Sequence, residues 1–355
     1  MKNTTKGLTS LAIGVGMTAA LSGCSGGTAA ADSAQSAMSS VTYDCSKPNT
    51  DTKSNISLTA MPLVSNGAIY AGIDQGFFAK HGITLDISTV SSLPATISAV
   101  QGGTTDMAFA GNISLFQALD KNIDLNIVAP FAGMAPKYWD KMQAGEAGFT
   151  REITALMVAP DSQFKSPGDL NGKTVAVGDA QGQGELTLRS VIKEHGGDPS
   201  TVKYVVMSSA DATNALMAGK VDAAMTTEPA MVKAEQAGYK ILSWPVVETL
   251  KEGPTSSIVA SADYIKKNPE TVARFNCGIR EANAYANDHH DVIRQRIAQE
   301  QKVDPATLAK AVVPYFYTSM DIKGLERFAG VTKSFGFIKK DIDMNALVIP
   351  QAKQG

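Results

Sequence analysis

Cysteine, histidine and aromatic residues are scarce in this chain, and neither sign of charge prevails. Three cysteines in 355 residues exclude a disulfide-dense scaffold and a protein built around several zinc ions. Lys and Arg number 32 against 34 Asp and Glu. That balance excludes a broad electrostatic nucleic-acid binder, because neutralising phosphates takes an excess of cations. The four histidines are His81, His195, His289 and His290, and no spaced ligand set accompanies them, so no metal or other cofactor is expected. His289 and His290 fall within Asp288-His289-His290-Asp291, on a polar helix where adjacent side chains point different ways; a solvated face is expected there. No G-x-S-x-G, H-E-x-x-H or P-loop pattern occurs, so nothing marks a hydrolase, zinc protease or nucleotide site.

Long apolar runs are also missing. The longest near the start, Leu8 to Leu21, has 14 residues and falls short of the roughly 20 that span a bilayer. With Lys2 and Lys6 before it, it has the shape of a secretory signal peptide. Leu21-Ser22-Gly23-Cys24 then resembles the bacterial lipobox, in which the cysteine becomes the first residue and carries lipid. Cleavage before Cys24 would leave 332 residues and, with two lysines lost, take the formal charge from −2 to −4. From Ser25 to Ser40, 13 of 16 residues are Gly, Ala, Ser or Thr; such a segment reads as a flexible tether, anchored to a membrane surface by acyl chains. Cys45 and Cys277 remain. In an oxidising compartment they can pair, tying the tether's end to the body, or stay as free thiols with Cys277 buried in a helix.

What is present is a hydrophobic fraction of 44%, ordinary for a packed protein, on a length that exceeds one core. Two lobes are expected. From Ser54 onward short β-rich runs alternate with helical ones, as in ISLTAM at 56–61, ITLDISTV at 83–90 and DMAFA at 106–110. Strands separated by helices imply βαβ units and parallel sheets. The order then returns from Lys173, and the two copies overlay at a constant offset of 116 residues: Ser92 on Ser208, Gly103 on Gly219, Asp106 on Asp222, Ala108 on Ala224. After Ile258 the chain is mostly helical, with Asn268-Pro269 and Asp304-Pro305 as helix entries, and is expected to pack back on the first lobe. The expected division is 1–23 signal, 24–53 tether, 54–158 first lobe, 159–248 second lobe and 249–350 the remainder of the first. Crossovers are placed near 156–161 and 244–256.

The run from Gly67 through Tyr70, Gly76-Phe77-Phe78 and Gly82-Ile83 resembles the opening of solute-binding proteins of the nitrate, sulfonate and taurine class. Ser166-Pro167-Gly168-Asp169-Leu170 and the stretch Leu216 to Ala223 resemble later segments of the same family, which alkanesulfonate-binding proteins share with thiamine-pyrimidine synthase. The resemblance implies an α/β, two-lobed, periplasmic-binding-protein-like (type II) fold, each lobe a mostly parallel sheet flanked by helices. It also implies a monomeric, lipid-anchored extracytoplasmic receptor that hands a small solute to the transmembrane subunits of an ABC permease. The solute would be a sulfonate, nitrate, carboxylate or pyrimidine-like compound. A pyrimidine-synthase-like enzyme and a ligand-sensing lipoprotein without transport are the alternatives; the cysteine-rich motif of the synthase branch is absent, so no catalytic residue is assigned.

In open parallel sheets ligands collect beyond the carboxyl ends of strands. The residues expected there are Pro62, Asn66, Ser91, Ser92, Gly111, Asn112, Gly182, Gln183, Gly184, Thr226, Thr227 and Glu228. Gly178 to Gly184 reads as a turn or as backbone donors at a helix start, because Thr187 stands where a dinucleotide fingerprint needs its third glycine. Glu228, if it faces the ligand, would reject a bare anion and prefer an N–H donor. Tyr138 and Trp139 either stack on a planar ligand or anchor a loop, and Arg151 is the best-placed arginine for an anion. Phe77, Phe78 and Tyr315 to Tyr317 are expected in the core.

Overall fold

A computed structural model of the chain describes residues 34–48, 50–90, 92–309 and 311–354. The signal segment, Cys24 and Ser91 lie outside these residues. In chain order the first part runs α1 (34–39), β1 (Ser54–Ala60), α2 (Gly67–Asp74), β2 (Ile83–Thr89), α3 (Leu93–Gln101), β3 (Met107–Gly111), α4 (Asn112–Asp120), β4 (Leu125–Pro130), β5 (Ala132–Met134) and α5 (Tyr138–Gln143). The second comprises β6 (Thr154–Val158), β7 (Thr174–Val177), α6 (Gln183–Glu194), β8 (Lys203–Val206), α7 (Ser209–Met217), β9 (Ala223–Thr227), α8 (Ala230–Gln236), β10 (Lys240–Ser243) and α9 (Pro245–Leu250). The last includes β11 (Gly253–Pro254), β12 (Ser256–Ser261), α10 (Ala262–Lys267), α11 (Pro269–Asp288), α12 (His290–Gln301), α13 (Pro305–Leu308), β13 (Tyr315–Phe316), α14 (Ile322–Ser334), α15 (Met344–Leu347) and α16 (Pro350–Lys353).

Two five-stranded sheets result, ordered β2-β1-β3-β12-β4 and β8-β7-β9-β6-β10. In each, four strands share a direction and one, β12 or β6, runs against them. The two sheets are the same design with the same place for the reversed strand, and β3 and β9 have bounds separated by the 116-residue offset. One hydrogen bond repeats with them. The Asp106 carboxylate accepts the Ser57 N–H of β1 at 2.8 Å, and Asp222 accepts the Thr174 N–H of β7 at 2.8 Å.

The reversed strands set the lobe boundary. Every residue of β6 pairs with β9, so 154–158 belongs to the second lobe and the first crossover is 144–153, upstream of the position expected. An apolar strand carries no mark of which sheet it joins, and an antiparallel strand escapes a βαβ reading. β12 returns the chain to the first sheet, and α11 packs there against α2 and β4.

A small antiparallel sheet, β11-β5-β13, lies where the crossovers meet. Gly133 in its central strand is required by space: a Cβ there would stand 2.2 Å from the Gly253 carbonyl oxygen. The first lobe and the C-terminal helices share one large core, whereas the second sheet has a separate cluster on each face. Phe78, Phe316 and Tyr317 are buried.

Residues 34–48, assigned above to the tether, pack on the body instead. Ala34 and Met38 are fully buried. Gln35 donates to the Ala346 and Val348 carbonyls at 2.8 Å each, and Gln351 donates to the Met38 carbonyl at 2.9 Å. Composition concealed this, because the segment is docked by only a few residues, two apolar anchors and two glutamines, together with Cys45. Cys45 and Cys277 are disulfide-bonded, with Cα atoms 5.5 Å apart. Beside them the Tyr43 hydroxyl meets His81 Nδ1 at 3.0 Å, and His81 Nε2 meets Glu281 at 3.2 Å. Burial holds the His81 ring below its ordinary pKa.

Candidate ligand-binding cleft

Between the lobes lies a cavity of about 360 Å³, within the range of small-molecule sites. Strand ends of both sheets reach it: Pro62 to Ser65 after β1, Gly111 at the end of β3, and Thr227 to Pro229 at the end of β9. Gln183 enters from the first turn of α6. The small sheet supplies Ala132 to Met134, the crossovers Glu152, Ile153, Thr255 and Ser256, and the C-terminal part closes it with Gln301, Leu308, Ala311 and Pro314. Most of this wall is apolar, with Leu63, Leu93, Phe109, Met134, Ile153 and Val246 prominent. Among the described residues no Lys, Arg or His lines it, and the charged groups in the wall are the carboxylates of Glu152 and Glu228.

Glu152 is buried. Its Oε2 accepts the Thr154 N–H at 2.9 Å, and no cation among the described residues pairs with it. Burial pushes the carboxyl up to about 7, the Glu228 charge adds to that, and the Thr154 and Ile153 N–H groups pull the other way. Glu228 differs. Its side chain is 3% exposed, yet Oε1 accepts from Arg151 at 3.1 Å and Oε2 from the Val312 N–H at 2.7 Å. That second bond joins the second lobe to the tail of the first, and the bond from the Gln117 side chain on α4 to the Gln181 carbonyl at 2.9 Å joins it to the body of the first.

Of the expected residues, Pro62, Gly111, Gln183, Thr227 and Glu228 line the cavity. Three others do not, because their polar atoms serve the scaffold or point elsewhere. Asn66 is fully buried and donates to the Met61 carbonyl. Asn112 donates to the Pro254 carbonyl at 2.9 Å and accepts from Ser257 at 2.8 Å, tying α4 to the second crossover. Thr226 is buried with its hydroxyl unpartnered; alternation along β9 turns it away from the face that Thr227 presents. Ser92, Gly182 and Gly184 sit at the starts of α3 and α6 but are not in the wall.

Arg151 is not an anion site. It bonds Glu235 at 2.9 Å and Glu228 at 3.1 Å, and the Glu235 hydrogen bond foremost raises its pKa. Tyr138 donates to the Arg151 carbonyl at 2.7 Å and meets Phe149 edge-on; burial, with the Glu152 charge behind it, raises its hydroxyl to about 12. Trp139 lies under the Lys251 ammonium, 4.6 Å from the ring centre. Both aromatics anchor the loop.

Glu152 itself escaped the sequence reading, which fixed on its neighbour Arg151. The available signal was a carboxylate immediately before an apolar strand at a crossover. A second cavity, about 400 Å³, opens on the far side of Thr227 to Pro229, against α7 and α8, with Lys233 and the buried, unpartnered Thr213 hydroxyl in its surroundings.

Residues 65–137 and 143–292 match the family model described as NMT1/THI5 like. Among curated proteins, "Putative binding protein YtlA" of Bacillus subtilis (strain 168) is 21% identical over 223 residues, 62% of either chain; the match thus spans about three-fifths of that relative. Among solved structures, the periplasmic aliphatic sulphonate binding protein SsuA from Escherichia coli superposes with a TM-score of 0.67 at 16% identity, covering 86% of this chain and 94% of that one. The desulfurization enzyme DSZB superposes with a TM-score of 0.61 at 15% identity, covering 83% and 96%.

Proposed function

Because the chain belongs to the NMT1/THI5-like family, we propose that it is an extracytoplasmic solute receptor. It captures one small molecule between its lobes and presents the closed form to the transmembrane subunits of an ABC permease. The observation that carries this reading is the cavity of about 360 Å³ walled by both lobes and both crossovers. A ligand held there favours the closed population by as much as it binds that state better than the open one. The sulfonate-binding structures with the same fold support the reading. The lobes already touch through Glu228–Val312 and Gln117–Gln181, contacts that opening must break.

DSZB shows that the fold also hosts catalysis. We read this chain as non-catalytic, since among the described residues the wall offers no cysteine, histidine or lysine as nucleophile or base. The receptor acts as a monomer, held at the membrane by acyl chains on Cys24. No helix among the described residues is long and apolar enough to cross a membrane.

Native mass spectrometry of protein purified from its host, followed by small-angle scattering with and without the molecule released, tests the reading. A bound solute and a smaller radius of gyration in its presence are expected. Protein that carries nothing and keeps one radius in deproteinised extract of its host's growth medium would sink it. Mass analysis of the mature N-terminus checks the anchor, and an unacylated Cys24 refutes it.

A further inference from the structure

We infer that the cleft selects a ligand with an apolar body and an N–H donor group, neutral or cationic, which it seats on the Glu152 carboxylate, and that it rejects sulfonates, nitrate and carboxylates. The inference rests on the solute-receptor reading and narrows its ligand class. It runs against the ligand named for the sulfonate-binding proteins that share the fold.

Three observations carry it. The first is the sign of the wall among the described residues: two carboxylates and no basic side chain. The second is what each acid is already doing. Arg151 and the Val312 N–H occupy the two oxygens of Glu228, so that group is spent on closing the lobes. Glu152 has backbone N–H partners near its strand but no counter-cation, and it faces the apolar cavity from the crossover. A buried acid in that position lacks a counter-charge until one arrives with the ligand.

The third concerns the backbone donors by which an anion could be held without basic residues. The N-terminus of α6 is the main such source at the cleft, because free N–H groups and the helix dipole favour negative charge there. In this chain no side chain caps that helix start, but its first turn carries an acid of its own. Glu185 in the first turn accepts the Gln181 N–H at 2.8 Å, is buried, and is paired in turn with Arg189 at 2.6 Å. An incoming sulfonate would face the Glu152 carboxylate in the wall, with the Glu185–Arg189 pair behind the helix start. At the start of α4 the Asn112 N–H is engaged, donating to the Thr255 carbonyl at 2.9 Å.

Calorimetric titration of the purified protein with four probes of one shape tests the inference: benzylamine and benzamidine as donors, benzenesulfonate and benzoate as anions. The donors should bind and the anions should not. Glu152→Gln should weaken the better donor roughly 10- to 100-fold, the range for losing a charge-assisted hydrogen bond. The amide mimics the protonated acid, so the variant should keep its fold, which circular dichroism checks. Tighter binding of either anion, with scattering showing closure, overturns the ligand class and leaves the receptor reading standing. So does donor binding that Glu152→Gln leaves within about twofold. Silence from all four probes also overturns the inference, and if native mass spectra of the host protein are ligand-free as well, the receptor reading falls with it.

Discussion

Replacing Glu152 by glutamine should remove a distinct slope from the pH dependence of stability. The ordinary value for this acid is 4.5, and burial raises it to about 7 in the folded protein. Below the ordinary value both folded and unfolded chains hold the proton, and the group has no effect on stability. Between the two values the unfolded chain ionises while the folded one stays protonated. The folded state then binds more protons, so stability falls as pH rises. The loss is complete once pH passes the folded value, and the shift corresponds to roughly 3 kcal/mol. For a chain of this size that is on the order of 6 °C in Tm. Glu228 and Tyr138 are the titratable groups that interact with Glu152. Glutamine keeps an oxygen for the Thr154 N–H and cannot ionise. Thermal unfolding of wild type and Glu152→Gln at about pH 5 and about pH 8 isolates the effect as a difference of differences. Nearly equal Tm values at the lower pH and a variant several degrees more stable at the higher are expected. A wild-type-minus-variant gap that does not change with pH would refute the argument that Glu152 is buried without a counter-charge.

Three further outcomes follow from contacts already described. Cys45→Ser frees a cross-link between residues 232 apart, which chain entropy puts at up to about 5 kcal/mol; hydrogen exchange should then rise first in residues 34–48, and unchanged protection there would show that the two glutamines suffice alone. Asn112→Ala strands the Pro254 carbonyl and the Ser257 hydroxyl and should cost about 1–3 kcal/mol in urea unfolding. Ligand affinity should stay within about threefold, and a loss of affinity at unchanged stability would restore Asn112 to the binding wall. Arg151→Gln leaves Glu228 without its cation and should lower stability by roughly 1–3 kcal/mol, less than for a fully buried pair because Arg151 is partly exposed; a neutral effect would show that the Val312 N–H alone satisfies the acid.

The repeated part of the fold was legible from the sequence, and the repeat is why. Strand, helix and strand recur at one offset, so the elements from β1 to β4 and from β7 to β10 could be read twice and checked against each other. The Asp106 and Asp222 bonds are that repeat seen as chemistry. Segments that occur once gave no such check. β6 was assigned to the wrong lobe, 34–48 was taken for tether, and Glu152 and Ile153 in the first crossover and Ala132 to Met134 in β5 went unnoticed. Among the strand-end candidates, composition could not separate a polar residue that faces the cleft from one that bonds the scaffold. Thr227 and Thr226 are adjacent and identical in type, and only the pleat divides them. Asn112 looked like a ligand contact because its amide has both donor and acceptor to offer, and the scaffold uses both.

The same division bears on how capture couples to closure. A duplicated pair of lobes presents two similar mouths, and nothing in the repeat prefers one ligand charge to another. The preference enters through unrepeated segments: Glu152 and Ile153 on the first crossover, Thr255 and Ser256 on the second, and the tail around Val312. A ligand that bonds Glu152 therefore touches the hinge rather than one lobe alone. Opening must separate Glu228 from the Val312 N–H and Gln117 from the Gln181 carbonyl, while the ligand's bond to the crossover persists in either state. Only contacts made in the closed form shift the balance between the two. On the receptor reading proposed above, Glu152 would govern which molecule is held, whereas Gln183, Thr227 and the tail residues Leu308 and Ala311, which line the cavity from opposite sides, would govern how strongly holding it keeps the lobes together.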